Sequence, residues 1–453
     1  MGRRTTGSGG SGASPASVAA PRGRFPAVRV RVALAAAAMG TTAALTAPSA
    51  TAAGTADGPG YAFDDNVRSV PAATSEAGAA LLEPGRTYRS TLPAGAEAHY
   101  RLVLDADSNT YVSVTAVPAP DAEVTAVEGI KVTVRDAEGS TCSSDSTTFG
   151  AGRSPHPVAA WGAREAGGSR CQDAGTYYVV VERAGTRDSV SGDWDLELAA
   201  VEEPDLTGPA ATKAPQSWNS ATPEPPADEP VGRSGGAGFS TAAAVRQGVW
   251  GTDIQPGQTL FYEVPVDWGQ QLYATAELGR ADEGAGYVVG ALDLSLYNPV
   301  RGPVEDAGVG YDGKPRSAAL DPLPPVAHVN RHSFTRRVAG MRFAGSYYLV
   351  VHLSADVAEE FGEGPFGLTL RVAVTGTPQE GPDYAGQPVP EDLFEVAGGA
   401  PGGGPGGSGP GGAAGGDTAM TALAVGGIGA GTVILVGLGV WTAAARRRGG
   451  LVR

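Results

Sequence analysis

The stretch 175–183, "GTYYVVVER", decides the fold, because it returns as "GSYYLVVHL" at 345–353, 170 positions further along. Each copy is a glycine, two tyrosines and a run of β-branched or aliphatic residues, which is the composition of a buried strand. Successive side chains of a strand point to opposite faces. Of Tyr177 and Tyr178, one ring should therefore enter a core and the other lie on the opposite face.

Working outward, "TLPAGAEAHYRLVLD" (91–105) aligns with "DIQPGQTLFYEVPVD" (253–267) at a constant offset of 162, pairing Gly95 with Gly257, Tyr100 with Tyr262 and Asp105 with Asp267. At the same offset "IKVTVRD" (130–136) meets "LDLSLYN" (292–298), both alternating apolar and polar as half-buried strands do. Downstream, "WDLEL" from Trp194 meets "FGLTL" from Phe366. One module is written twice. Short runs rich in Val, Tyr, Thr and Leu, broken by Gly, Pro and Asp, predict an all-β chain of two tandem β-sandwich, jelly-roll-like modules, at 61–204 and 237–385. The Pro-rich stretch 205–236 has no period and reads as a semi-extended linker.

The two ends give an address. Arg22, Arg24, Arg29 and Arg31 precede the small apolar run "VALAAAAMGTTAALTA" and then "ATA" at Ala50–Ala52. This order predicts a secretory signal peptide over 1–52. Arg3 and Arg4 lie too far from the apolar run for a twin-arginine signal. Residues 386–417 are Gly- and Pro-rich and predict a disordered stalk, because such a segment cannot bury enough apolar surface to offset its own ordering. Thr418–Ala445 then holds no charge for 28 residues and is followed by Arg446–Arg448. That predicts one transmembrane helix over 418–445, retained since no "LPxTG" precedes it, with a basic cytoplasmic tail over 446–453. Gly427 and Gly431 within it would allow close helix contact.

Six arginines lie before Ala52 and four in the tail, so the expected ectodomain keeps 23 of 33 basic residues against all 48 acidic ones, a net of −25. Such a field repels phosphate backbones and argues against nucleic-acid partners. The two cysteines, Cys142 and Cys171, both fall in the exported region and predict one disulfide. A bridge would close the loop between them, for about 3.5 kcal/mol if unstrained.

The order "AGxxxxYxLxL", an alternating strand, "GTYYVVVER" and "GDWDLEL" resembles the bacterial pre-peptidase C-terminal module, a β-sandwich appended to many secreted enzymes. Two such modules before a Gly-rich stalk and a spanning helix are also similar to the C-terminal half of secreted, membrane-anchored proteins with a von Willebrand factor A domain. The resemblance covers about 61–385. The chain has neither a peptidase domain nor a "DxSxS" metal site, so the resemblance implies neither proteolysis nor metal-dependent adhesion.

The copies differ most between the alternating strand and the "GxYY" strand, over 140–174 in module 1 and 299–344 in module 2. Long insertions on a rigid sandwich are where binding commonly resides, although they are also tolerated as plain surface loops. Residues 299–344 hold seven basic and four acidic residues, a reversal of sign in an acidic chain. "HVNRHSFTRRVAGMRF" concentrates the charge, and His328, Arg331, His332, Arg336, Arg337 and Arg342 become the candidate binding residues, suited to carboxylate or phosphate groups. The alternative is that these arginines pair with the acidic first module or are merely solvated. His328 and His332 stand at i and i+4, but "DPLPPVA" precedes them and no H-E-x-x-H motif is formed. "DADSN" (105–109) lacks the Gly and Glu of a calcium loop and reads as a polar turn. "GRSGG" (232–236) lies in the linker, without the strand and helix of a nucleophile elbow. No catalytic residue, metal or cofactor is expected.

These readings converge on a single-pass cell-surface protein, not an enzyme, that displays two modules for binding a protein or an anionic envelope polymer. An accessory subunit stabilising a membrane or secreted enzyme assembly is the alternative, and a hydrolase a distant one.

Overall fold

The computed structural model describes residues 60–185, 192–209, 211–215 and 217–396. The expected signal peptide, transmembrane helix and cytoplasmic tail lie outside the described residues. Among the described residues no helix is long and apolar enough to cross a membrane.

The repeat is reproduced strand for strand. Module 1 contains β1 (Arg68–Ser69), β2 (Ala80–Leu81), β3 (Arg86–Leu92), β4 (Glu97–Leu104), β5 (Asn109–Val117), β6 (Gly129–Asp136), β7 (Thr141–Thr148), β8 (Val158–Arg164), β9 (Gly175–Ala184) and β10 (Trp194–Glu203). Module 2 repeats them as β11 (Val231–Gly232), β12 (Ala243–Ala244), β13 (Gly248–Ile254), β14 (Thr259–Val266), β15 (Gln271–Leu278), β16 (Val288–Tyr297), β17 (Pro303–Tyr311), β18 (Arg316–Ala319), β19 (Gly345–Leu353) and β20 (Phe366–Thr375). Two sheets make each module: β1-β3-β10-β5-β8 over β2-β4-β9-β6-β7 in the first, and β11-β13-β20-β15-β18 over β12-β14-β19-β16-β17 in the second. Adding ten to every strand number converts one topology into the other.

The repeated phrase forms β9 and β19, the central strands of equivalent sheets. Tyr177 and Tyr347 enter the two cores, and each hydroxyl donates to the carbonyl four residues upstream, Asp173 at 2.6 Å and Phe343 at 2.8 Å. A buried phenol is satisfied without a side-chain partner in either copy. Gly175 and Gly345 open the strands at φ +155° and +128°, backbone that glycine adopts most readily. At Gly345 a Cβ would also collide with the Leu393 carbonyl.

Three expectations are corrected. The insertions are not plain loops, because each contains two strands that complete the sheets, β7 and β8 or β17 and β18. "TCSSDSTT" pairs with β6 although its residues are almost all polar, since as an edge strand it is half exposed. Nor does 205–236 hang between the modules. It lies along module 2, where Gln271 Nε2 donates to the Asn219 carbonyl (2.9 Å) and Arg371 to that of Pro226 (2.6 Å). Finally, 386–396 do not belong to a disordered stalk, and the rest of that expected segment, 397–417, lies outside the described residues. Val389 pairs with Glu202 and Phe394 is buried, stacked on Phe343 with centroids 4.8 Å apart.

Each module keeps its own core, around Leu102, Val132, Val179, Trp194 and Leu196 in the first and Val264, Leu294, Leu349, Val351 and Leu370 in the second. Two further apolar clusters draw residues from both modules. The outward faces of β5, β8 and β10 in module 1 meet those of β14, β16 and β19 in module 2. Four sheets therefore stack in order, with a seam between the inner two.

Candidate functional site: the seam between the modules

Alternation along a strand supplies the seam. In β10 the residues Leu196, Leu198 and Ala200 enter core 1, so Glu197, Val201 and Glu203 face outward. Glu197 and Glu203 are nevertheless 1% and 0% exposed, because module 2 covers them. A buried carboxylate requires a counter-charge and several donors. Arg331 supplies a forked pair to Glu203, Nη1 to Oε2 at 3.1 Å and Nη2 to Oε1 at 2.6 Å. Tyr111 (2.8 Å), Asn109 (2.8 Å) and Tyr384 (2.9 Å) complete the shell. Burial alone would raise the Glu203 carboxyl, but Arg331 and these hydrogen bonds outweigh it and hold it below the ordinary value. Glu197 pairs with Arg301 and accepts from the Tyr61 hydroxyl at 3.0 Å.

The expected basic cluster is therefore largely an internal seam. Arg331 meets Glu203, Arg342 meets Glu165, and Arg336 meets Asp145 at 2.8 Å, all three carboxylates belonging to module 1. Arg337 instead stays within module 2, on Asp321 at 2.6 Å. His328 lies 3.6 Å from Glu203 and is held neutral, its value pushed down to about 4 by burial and by Arg331. His332 is exposed. His328–His332 is a 3-10 helix, in which i and i+4 diverge, so the two imidazoles do not converge on one point. Among the described residues no group of three or more His, Cys, Asp or Glu is placed to hold a metal.

The partners of the arginines carried a faint signal. Glu197 and Glu203 sit on a strand whose four charged residues, Asp195, Glu197, Glu202 and Glu203, are all acidic, whereas the cluster over 299–344 is mainly basic. A second device had no signal at all: His156 of module 1 stacks on His352 of module 2, centroids 4.4 Å apart. Nε2 of His352 lies 3.0 Å from Ser154 Oγ and Nδ1 lies 3.0 Å from Thr259 Oγ1. Burial lowers both histidines, and for His352 the His156 ring lowers it further. The stack is a neutral one.

At "DADSN" the Asp105 carboxylate accepts from the amides of Asp107 (3.0 Å) and Ser108 (2.8 Å), a side-chain-closed turn. The Arg164 guanidinium takes the carbonyls of Asp105 and Ala106, so a cation already sits beneath it. The predicted disulfide is present, joining Cys142 in β7 to Cys171 beyond β8.

Where β7 and β8 meet module 2, the seam opens into a groove of about 470 Å³. Its module 1 wall is β7, the end of β8 and the disulfide loop. The opposite wall is Ser333, Phe334 and the short helix α1 (Arg336–Gly340). Arg336 and Pro303 also border a second hollow of about 300 Å³ along β7, next to the buried carboxyl of Asp293, which burial and Asp306 push up to about 6. Both hollows require both modules.

No family model matches the chain, that of the pre-peptidase C-terminal module included, and no curated protein matches it. Solved structures similar to it include the N-terminal tandem CBM22 domain of Paenibacillus barcinonensis Xyn10C, at 10% identity over 63% of this chain and 84% of that one, TM-score 0.18. The tandem CBM51 modules of Sp3GH98 from Streptococcus pneumoniae are 9% identical over 64% and 83%, TM-score 0.18. The human CUB1-EGF-CUB2 domain of MASP-1/3 is 9% identical over 63% and 99%, TM-score 0.16. At such scores the chain's fold and role rest on its own residues.

Proposed function

We propose that the chain is an exported, membrane-anchored, non-catalytic protein that presents its two sandwiches as one binding body to an anionic envelope polymer or a partner protein. The observation that carries this reading is the Glu203–Arg331 fork, buried between the modules with every carboxylate oxygen partnered. A satisfied ion pair of this kind fixes register between surfaces and is costly to open. Two modules so fixed form composite surfaces that neither has alone, which is what a binding body needs and a pair of tethered beads lacks. The acidic chain with a signal-like start and an apolar, arginine-flanked end supports display outside the cell.

Detergent-solubilised full chain, mixed with envelope prepared from the cells that make it, should sediment with the envelope. Protease added to wall-stripped cells should remove the modules and leave a membrane stub. Full protection of the modules, or no retention on envelope and no co-purifying protein, overturns the reading.

A further inference from the structure

Resting on that reading, we propose that the 470 Å³ groove at the seam is a ligand site for an acidic oligosaccharide. Three features of the groove point there. Phe334 stands wholly out of the protein at its mouth, 108% exposed, the most exposed large apolar side chain among the described residues. A ring in that position contributes nothing to either core, yet offers a flat apolar face of the kind that packs against the C–H face of a pyranose.

The charge count supplies the second feature. Arg336 and Arg342 are neutralised by Asp145 and Glu165, whereas Arg170, also lining the groove, is exposed and has no carboxylate partner among the described residues. The groove's lining thus carries three arginines against two carboxylates, a net positive charge in a chain of net charge −15. The forked donors of Arg170 suit a carboxylate.

The third feature is the kind of hydrogen bonding left over. Ser143, Ser169 and Ser333 border the groove; Ser143 and Ser333 already accept from the Ala163 and Thr335 amides and keep a hydroxyl proton to donate, while Ser169 can both donate and accept, as the hydroxyls of a sugar do. An extended peptide fits less well. The amides of β8 that would receive an added strand are already taken, Ala163 N by Ser143 Oγ at 2.6 Å and Trp161 N by Asp145 Oδ2 at 3.4 Å.

The test titrates full chain in detergent with a tetramer of galacturonic acid and with a neutral glucose tetramer, followed by calorimetry. The acidic tetramer should bind, at least tenfold tighter than the neutral one. Phe334→Ala and Arg170→Ser should each weaken it about tenfold while leaving the melting temperature unchanged, and binding should weaken as salt rises. No binding of the acidic tetramer, equal binding of the neutral one, or unchanged binding in both variants overturns the assignment. Envelope retention measured on the same variants separates the two readings. Wild-type retention that persists in Phe334→Ala and Arg170→Ser removes the groove and keeps the display role, and wild-type chain that is not retained removes the display role itself.

Discussion

The outward faces of β4, β6 and β9 in module 1 and of β14, β16 and β19 in module 2 occupy the same place in the two copies, yet only the second is covered by a neighbouring module. Strand registers match at offsets of 162 and 170, so the substitutions between the copies can be named. Phe261, Tyr297 and His352 of the covered face stand where the other has His99, Arg135 and Glu182. Tyr348 and Val350 correspond to Tyr178 and Val180, which are unchanged. With Thr259 in place of Glu97, four positions, apolar or neutral on one side and charged or polar on the other, separate a docking surface from one that no second module covers. The partner faces differ in the same manner, because Glu197 and Glu203 of β10 become Thr369 and Thr375 in β20. Module 2 cannot offer a third module the carboxylates that module 1 offers to it. Instead the Pro-rich stretch lies over that face.

The comparison breaks first at its buried charge. Arg331→Met strands Glu203 without its counter-ion and should cost about 3–5 kcal/mol, read by denaturant unfolding of the full chain. A loss below about 1 kcal/mol would show that the seam is not held there. The disulfide has no counterpart in module 2, so Cys142→Ser with Cys171→Ser should cost about 3.5 kcal/mol and lower the melting of module 1 alone. An equal drop in both modules would mean that they unfold as one cooperative unit.

Acid should loosen the seam. A histidine held below its unfolded value of about 6.5 stays neutral when docked, while the unfolded chain takes up a proton. Its contribution is complete above about pH 6.5 and is lost as pH falls toward the folded value. Glu203, also held low, acts in the same direction further down, its contribution lost as pH falls through its folded value. From pH 7.5 to 5 the histidines should lower stability, opposed in part by Asp293, whose carboxyl, pushed up to about 6, is relieved of its charge over the same range; His352→Gln should flatten the histidine slope, and an unchanged slope would exonerate the stack. The smallest effect belongs to the uncovered face, where Lys131→Ala removes a half-buried pair with Glu182 (2.9 Å) at the sheet surface and should cost about 1 kcal/mol or less.

The sandwich was legible because period-2 alternation and a duplicated phrase are local signals. Even the seam left a trace, since in "TLFYEVPV" Phe261 is apolar at an outward position where the matching residue is His99. The trace was weak because alternation tells which side chains leave the core and not what they meet. Polar edge strands such as "TCSSDSTT" hide for the opposite reason: lacking an apolar face, they resemble loop. The basic cluster over 299–344 was visible as a reversal of charge sign. Its partners sit up to 191 residues away, for Arg336 and Asp145, a separation that no window along the chain spans.

The segment ending at Val396 gives the assembly a mechanical character. It runs antiparallel to the end of β10 and the start of the linker, Glu202 opposite Val389 and Leu206 opposite Tyr384, and ends with Phe394 against Phe343. A pull transmitted through the chain beyond Val396 thus reaches Phe394 and the end of β10 before it reaches the far side of module 2. Isolated bridges loaded from one end open in succession, so the ring stack acts as a latch, and a pull on the chain end is felt at the joint between the sandwiches before either sandwich deforms.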